Sequence, residues 1–85
     1  MTERIVAAAV RFEGMTFSLL PPARHGECLC LLRACRPDSF AEEQGFVTSS
    51  NRFVGRTEAR KIAEAADQLM ARAGKFPELY SEDVW

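Results

Sequence analysis

The stretch Ile5-Val6-Ala7-Ala8-Ala9-Val10-Arg11-Phe12-Glu13-Gly14-Met15-Thr16-Phe17-Ser18-Leu19-Leu20 decides the architecture. Two apolar runs separated by an Xaa-Gly pair predict a β-hairpin, because a two-residue turn between twisted strands needs the left-handed backbone that glycine adopts freely. The first run is apolar at every position from Ile5 to Val10, the pattern of a central strand covered on both faces. Its three alanines leave room for a close neighbour. Pro21-Pro22 ends the hairpin, since proline cannot donate to a strand ladder.

Downstream, Ala23-Arg24-His25-Gly26 leads into a predicted helix from about Glu27 to Arg33. Cys28, Leu29, Leu31, Leu32 and Cys35 make it apolar almost all round, so burial on more than one side is expected, with another subunit as one cover. Arg36-Pro37-Asp38-Ser39 has the residues of a turn, and Ala41-Glu42-Glu43-Gln44 is a polar approach to the next strand. Gly45-Phe46-Val47-Thr48 and Arg52-Phe53-Val54 flank Ser49-Ser50-Asn51 as a second hairpin. Gly55 then caps a second helix, with Glu58 three residues on. Ala59, Ile62, Ala63, Ala66, Leu69, Met70 and Ala73 form its apolar stripe, and Gly74 is its expected stop. The expectation is one small α+β domain over residues 1–85, of ββαββα type, with two hairpins and two helices. Phe76, Tyr80 and Trp85 are three of eight aromatic residues in the whole chain. A frayed end would be more polar, so the closing segment is expected to dock.

Eighty-five residues give room for one thin core. Eleven Lys and Arg against twelve Asp and Glu leave a net charge of -1. That balance argues against coating long nucleic acid through charge, which needs a basic excess or a basic face. No apolar run approaches the roughly 20 residues that span a bilayer, and no secretory leader is legible at Glu3 and Arg4. No membrane role and a cytoplasmic location are the expectations. The three cysteines, Cys28, Cys30 and Cys35, lack the paired knuckles of a structural zinc site. No metal and no cofactor are expected, and the cysteines read as small buried hydrophobes.

Candidate chemistry gathers around arginine. Arg24 and His25 follow a double proline and precede a helix, where a guanidinium, an imidazole and helix N–H groups suit an anion. The plainer alternative is a surface histidine. Arg52, Arg56 and Arg60 recur every four residues, and positive charge in a first helical turn opposes the helix dipole, as though it answered to an anion or to Glu82 and Asp83. The plainer alternative is a solvated helix face with Arg60–Glu64 and Lys61–Glu64 pairs. Phe46, Phe53, Tyr80 and Trp85 offer rings for stacking on bases, although Phe46 and Phe53 also fit a core. Neither a glycine-rich phosphate loop nor a nucleophile elbow is present in the sequence, so no enzymatic activity is expected.

Three stretches together resemble a widespread group of small tailed-phage proteins. They are Ile5–Val10 with Arg24-His25, then Gln44–Thr48 running through Arg52-Phe53-Val54 to Arg56 and Glu58-Ala59, and finally Leu79-Tyr80-Ser81-Glu82-Asp83-Val84-Trp85. The chain departs from that group at Gly26, Asn51 and Gly55 and over residues 28–41. The group in turn is similar to the phage anti-CBASS sponges, oligomeric proteins that bind cyclic oligonucleotide immune signals. The resemblance implies a homo-oligomer working in the host cytoplasm during infection and sequestering a cyclic nucleotide without cleaving it. Arg24, His25, Arg52 and Arg56 would grip phosphates, Gln44, Phe46 and Thr48 would read base edges, and Tyr80 or Trp85 would stack. The competing reading is a protein inhibitor of the anti-CRISPR type, binding a host defence complex through the first helix or the closing segment. A nucleotide-processing enzyme with His25 as base ranks last.

Overall fold

The computed structural model describes residues 2–85. Strand β1 (Ile5–Phe12) turns at Glu13-Gly14 into β2 (Met15–Leu19), and both turn residues take positive φ, 50° and 76°. That is the backbone a two-residue hairpin demands, and Gly14 supplies half of it at no steric cost. Helix α1 (His25–Cys35) follows, then β3 (Glu43–Thr48), β4 (Phe53–Gly55) and α2 (Arg56–Ala65), with a single 3₁₀ turn at Ser81–Asp83. The described residues thus form a small α+β protein with four antiparallel strands and two helices.

The sheet order is β2-β1-β3-β4, so the alanine-rich strand lies inside the sheet as its unbroken apolarity requires. Ala7, Ala8, Ala9 and Val10 are all buried. Alternation sorts the two faces. Ala8, Val10, Phe46 and Val54 point to one side and form the core with Cys28 and Leu32 of α1, Ala59 and Ala63 of α2, and Leu79. Ala7, Ala9, Gly45, Val47 and Phe53 take the other side. There the Phe53 ring lies so close to Gly45 that a β-carbon at 45 would stand 2.8 Å from it. The Arg11 guanidinium covers the same ring at 5.1 Å. The register of β1 on β3 shifts between Ile5 and Ala7, a bulge that returns Ile5 to the core face.

Three sequence expectations need correction. Helix α2 ends at Ala65, far short of Gly74. Ala66 closes it, Asp67 takes φ 55°, and the Gln68 side chain bonds both main-chain groups of Ile5, at 2.7 and 2.8 Å. The stripe continuing through Leu69 and Met70 therefore belongs to a connection tied to β1. Helix α1 is longer than expected and buries one face only: His25, Cys28 and Leu32 are inside, while Cys30, Ala34 and Cys35 are exposed. Of the cysteines only Cys28 is a buried hydrophobe, its thiol 3.3 Å from the Ala8 carbonyl; burial pushes that thiol up from its ordinary pKa. No helix is long and apolar enough to cross a membrane among the described residues.

Candidate functional site

The residues nominated from the sequence fall into two groups. The larger surrounds the closing segment. Arg56 opens α2, and its Nη1 donates to the Leu79 carbonyl at 2.8 Å while its Nη2 donates to Gln44 Oε1 at 2.7 Å. The Arg56 main-chain carbonyl in turn accepts from the Leu79 N–H at 2.9 Å. Its guanidinium stands 4.8 Å from the Tyr80 ring centre. Burial pulls the pKa of Arg56 down, opposed by Tyr80, Glu82, Asp83 and Glu78 in that order. Those three carboxylates make the corner mixed in sign. The locally unfavourable arginine in the first turn of α2 answers to carbonyls and carboxylates of its own chain.

Further along, Asp83 Oδ2 accepts from the Tyr80 N–H at 2.9 Å and the Asp83 carbonyl accepts from the Met70 N–H at 2.8 Å. Leu79, Ser81 and Asp83 are buried. The Trp85 indole N–H donates to the Ala23 carbonyl at 3.0 Å, and its ring meets Phe46 edge-on at 6.3 Å. Two guanidiniums converge on the Trp85 main-chain oxygen, Arg24 at 2.7 Å and Arg72 at 3.0 Å. Arg24 is also the N-cap of α1, its main-chain N–H taken by Glu27 Oε1 at 2.8 Å.

Beneath this surface, His25 and Phe46 serve packing. Phe46 is fully buried, and His25 contacts it edge-on at 4.9 Å while its Nε2 lies 2.7 Å from the Gly45 carbonyl. Burial lowers the His25 pKa, reinforced by the Arg56 charge and resisted by the Gly45 bond and Glu82. Neither ring is on a surface that a ligand could reach without rearrangement, so the expected contact roles of His25 and Phe46 do not fit this conformation.

The second group lies elsewhere. The Thr48 hydroxyl donates to a Glu3 carboxylate oxygen, and Arg52 forks onto both Glu3 oxygens at 2.8 Å each. Arg52 Nη1 also reaches Glu58 at 3.0 Å. These partners hold the Glu3 carboxyl down at about 2 and push Arg52 up. Arg52 and Thr48 thus brace the second hairpin against the residues leading into β1. Arg60 does pair with Glu64, at 3.2 Å, but from a buried position, and its Nη1 has no hydrogen-bond partner among the described residues.

The described residues form no pocket. Nor do they form a group of three or more His, Cys, Asp or Glu side chains placed to hold a metal. Sequence reasoning missed Glu3, Gln68 and Arg72. Arg72 and Gln68 were hidden inside the overextended helix; Glu3 had a signal, an acid just before a strand whose first residue, Ile5, pairs with Thr48 of the second hairpin.

Fold and site together define a small α+β protein in which three arginines, Arg24, Arg56 and Arg72, bond carbonyl oxygens of the closing segment. Residues 4–85 match the model of the phage T4 y16D protein family, and the chain belongs to that family. No curated protein and no solved structure gives a match.

Proposed function

We propose that this phage protein is a non-catalytic anti-defence inhibitor that binds a host protein complex directly through the corner built on its docked closing segment. One observation carries the reading: Arg24 and Arg72 meet at Trp85 and Arg56 stands over Tyr80 with Glu78 and Glu82 nearby, giving aromatic and guanidinium surface of mixed sign. Tyrosine, tryptophan and arginine dominate the energetics of protein interfaces. A phosphate-rich ligand would instead meet carboxylates beside the arginines.

The nucleotide-sequestering reading has one observation in its favour. Arg24 and Arg72 both reach a single oxygen at the start of α1, a spot whose helix dipole also favours negative charge. Each guanidinium uses one of several donors on that oxygen, leaving others for a phosphate. In this version Arg24, Arg56, Tyr80 and Trp85 contact the cyclic nucleotide, Gln44, His25 and Phe46 support them from beneath, and Thr48 and Arg52 brace the second hairpin away from the ligand.

A photo-crosslinking residue at position 80, with position 50 on the distant hairpin as control, separates the two in lysate of infected cells. Crosslinking of one host polypeptide from position 80 alone, lost in Arg72→Glu, supports the inhibitor. A panel of cyclic di- and trinucleotides, bound and released unchanged on heating, with binding lost in Arg24→Ala, overturns it in favour of sequestration.

A further inference from the structure

We propose that β2 is a self-association edge, pairing antiparallel with β2 of a second copy about Phe17 so that two four-stranded sheets become one of eight. The inference is independent of the function proposed above. The sheet has two edges, β2 and β4. Strand β4 is three residues long and runs directly into α2, which leaves little to pair with. Strand β2 carries five residues, Met15-Thr16-Phe17-Ser18-Leu19, with no charge, no proline and no bulge. Those are the devices by which proteins block edge pairing. Among the described residues, no main-chain hydrogen bond reaches β2 from any element but β1.

The hairpin geometry says which groups are free. A two-residue turn with both residues at positive φ closes on a hydrogen-bonded pair, here Phe12 with Met15. Alternation then makes Val10–Phe17 and Ala8–Leu19 hydrogen-bonded pairs as well, and turns the N–H and C=O groups of Thr16 and Ser18 outward. Pairing two copies about Phe17 sets Thr16 opposite Ser18 twice, which forms about four main-chain bonds.

The side chains fit the same register. Met15 falls opposite Leu19, Phe17 opposite Phe17 and Thr16 opposite Ser18. Apolar groups meet on the helix-covered face, where Met15 and Leu19 are 38% and 36% exposed in one copy, and hydroxyls meet on the other. A slip of one residue sets free main-chain groups against occupied ones. A slip of two brings Leu19 against Glu13 or Met15 against Pro21. The sequence of β2 reads alike in both directions in polarity, which is what a two-fold interface requires.

Sedimentation equilibrium of the intact chain at high micromolar concentration tests this. The wild type is expected at twice its 9.5 kDa mass. Thr16→Pro removes an outward N–H and leaves the β1 ladder whole, so it is expected as a monomer with unchanged circular dichroism. If that variant does not fold, a charge pair replaces it: Thr16→Lys/Ser18→Lys is expected monomeric and Thr16→Lys/Ser18→Glu dimeric, because only the second sets opposite charges across the interface. A monomeric wild type, a dimeric Thr16→Pro, or two charge variants of equal mass would overturn the proposal.

Discussion

His25 reaches from the first turn of α1 to the carbonyl of Gly45 in β3, Nε2 to oxygen 2.7 Å, inside the core and edge-on to Phe46. The imidazole is neutral there, its Nε2–H donating to the carbonyl. Burial holds its pKa below the ordinary 6.5, with Arg56 adding to the effect and Glu82 opposing it. In the unfolded chain the same ring protonates near 6.5. Stability is therefore complete above that value and falls as pH drops below it, until the folded-state pKa is reached. The slope is at most about 1.4 kcal/mol per pH unit. Urea unfolding at about pH 7.5 and about pH 5.5 should show the wild type weaker in acid. His25→Gln, which keeps an N–H donor, should flatten the difference; an equal slope in both proteins would remove His25 as its source.

Glu3 titrates in a separate window. Its carboxyl accepts from Thr48 and Arg52, which lower it from 4.5 to about 2. For a carboxyl depressed in the fold, the contribution is present above 4.5 and disappears as pH falls toward 2. Glu3→Gln should lower stability at neutral pH only modestly, since an exposed ion pair is worth little, and should bring variant and wild type together as pH falls from 4.5 toward 2. Carboxyl chemical shifts across that range would check it directly.

These two side chains also mark how far the sequence could be read. Strand β1 and both hairpins were legible because their signals are local: continuous apolarity at Ile5–Val10, Gly14 in a tight turn, and Asn51 at φ 60° in a polar loop. The end of α2 was not. Ala66, Leu69 and Met70 keep helical spacing, and the break comes from a tertiary bond, Gln68 to Ile5, across 63 residues. Arg24, Arg56, Tyr80 and Trp85 do come together around the closing segment. Their partners within the chain were not legible, because a guanidinium serving a main-chain carbonyl and one facing a phosphate look the same in sequence. Thr48 and Arg52 went to another corner since hairpin register, not spacing along the chain, set their partner.

Gly45 and Gly26 make a contrasting pair. A β-carbon at Gly45 would stand 2.0 Å from the Val54 carbonyl oxygen and 2.8 Å from the Phe53 ring. Backbone cannot yield as a flexible side chain does, so Gly45→Ala should cost about 3 kcal/mol, the upper end for overpacking. Gly26 lies in α1 with open space where a β-carbon would go. Gly26→Ala should stabilise by about 0.5–1 kcal/mol through lower unfolded-chain entropy. Chemical unfolding of both variants checks the sign; a destabilised Gly26→Ala would mean that α1 needs glycine for another reason.

Leu79 anchors the closing segment, fully buried among Val54, Ala59 and the rest of the core, with Tyr80 and Trp85 positioned after it. Truncating a buried leucine costs about 2–5 kcal/mol, in proportion to the cavity left. Here the loss falls on a segment otherwise held by hydrogen bonds from Arg56, Arg24, Arg72 and Met70. Trp85 is the single tryptophan, so its emission reports the segment alone. In Leu79→Ala, emission should shift red at lower denaturant than the loss of far-ultraviolet ellipticity, because the segment releases before the sheet unfolds. Tyr80→Ala, at a position 38% exposed, should keep the two transitions together. Coincident transitions in Leu79→Ala would mean that the segment is part of the cooperative core, and that Leu79 stabilises the whole sheet through Val54 and Ala59 instead of its own corner.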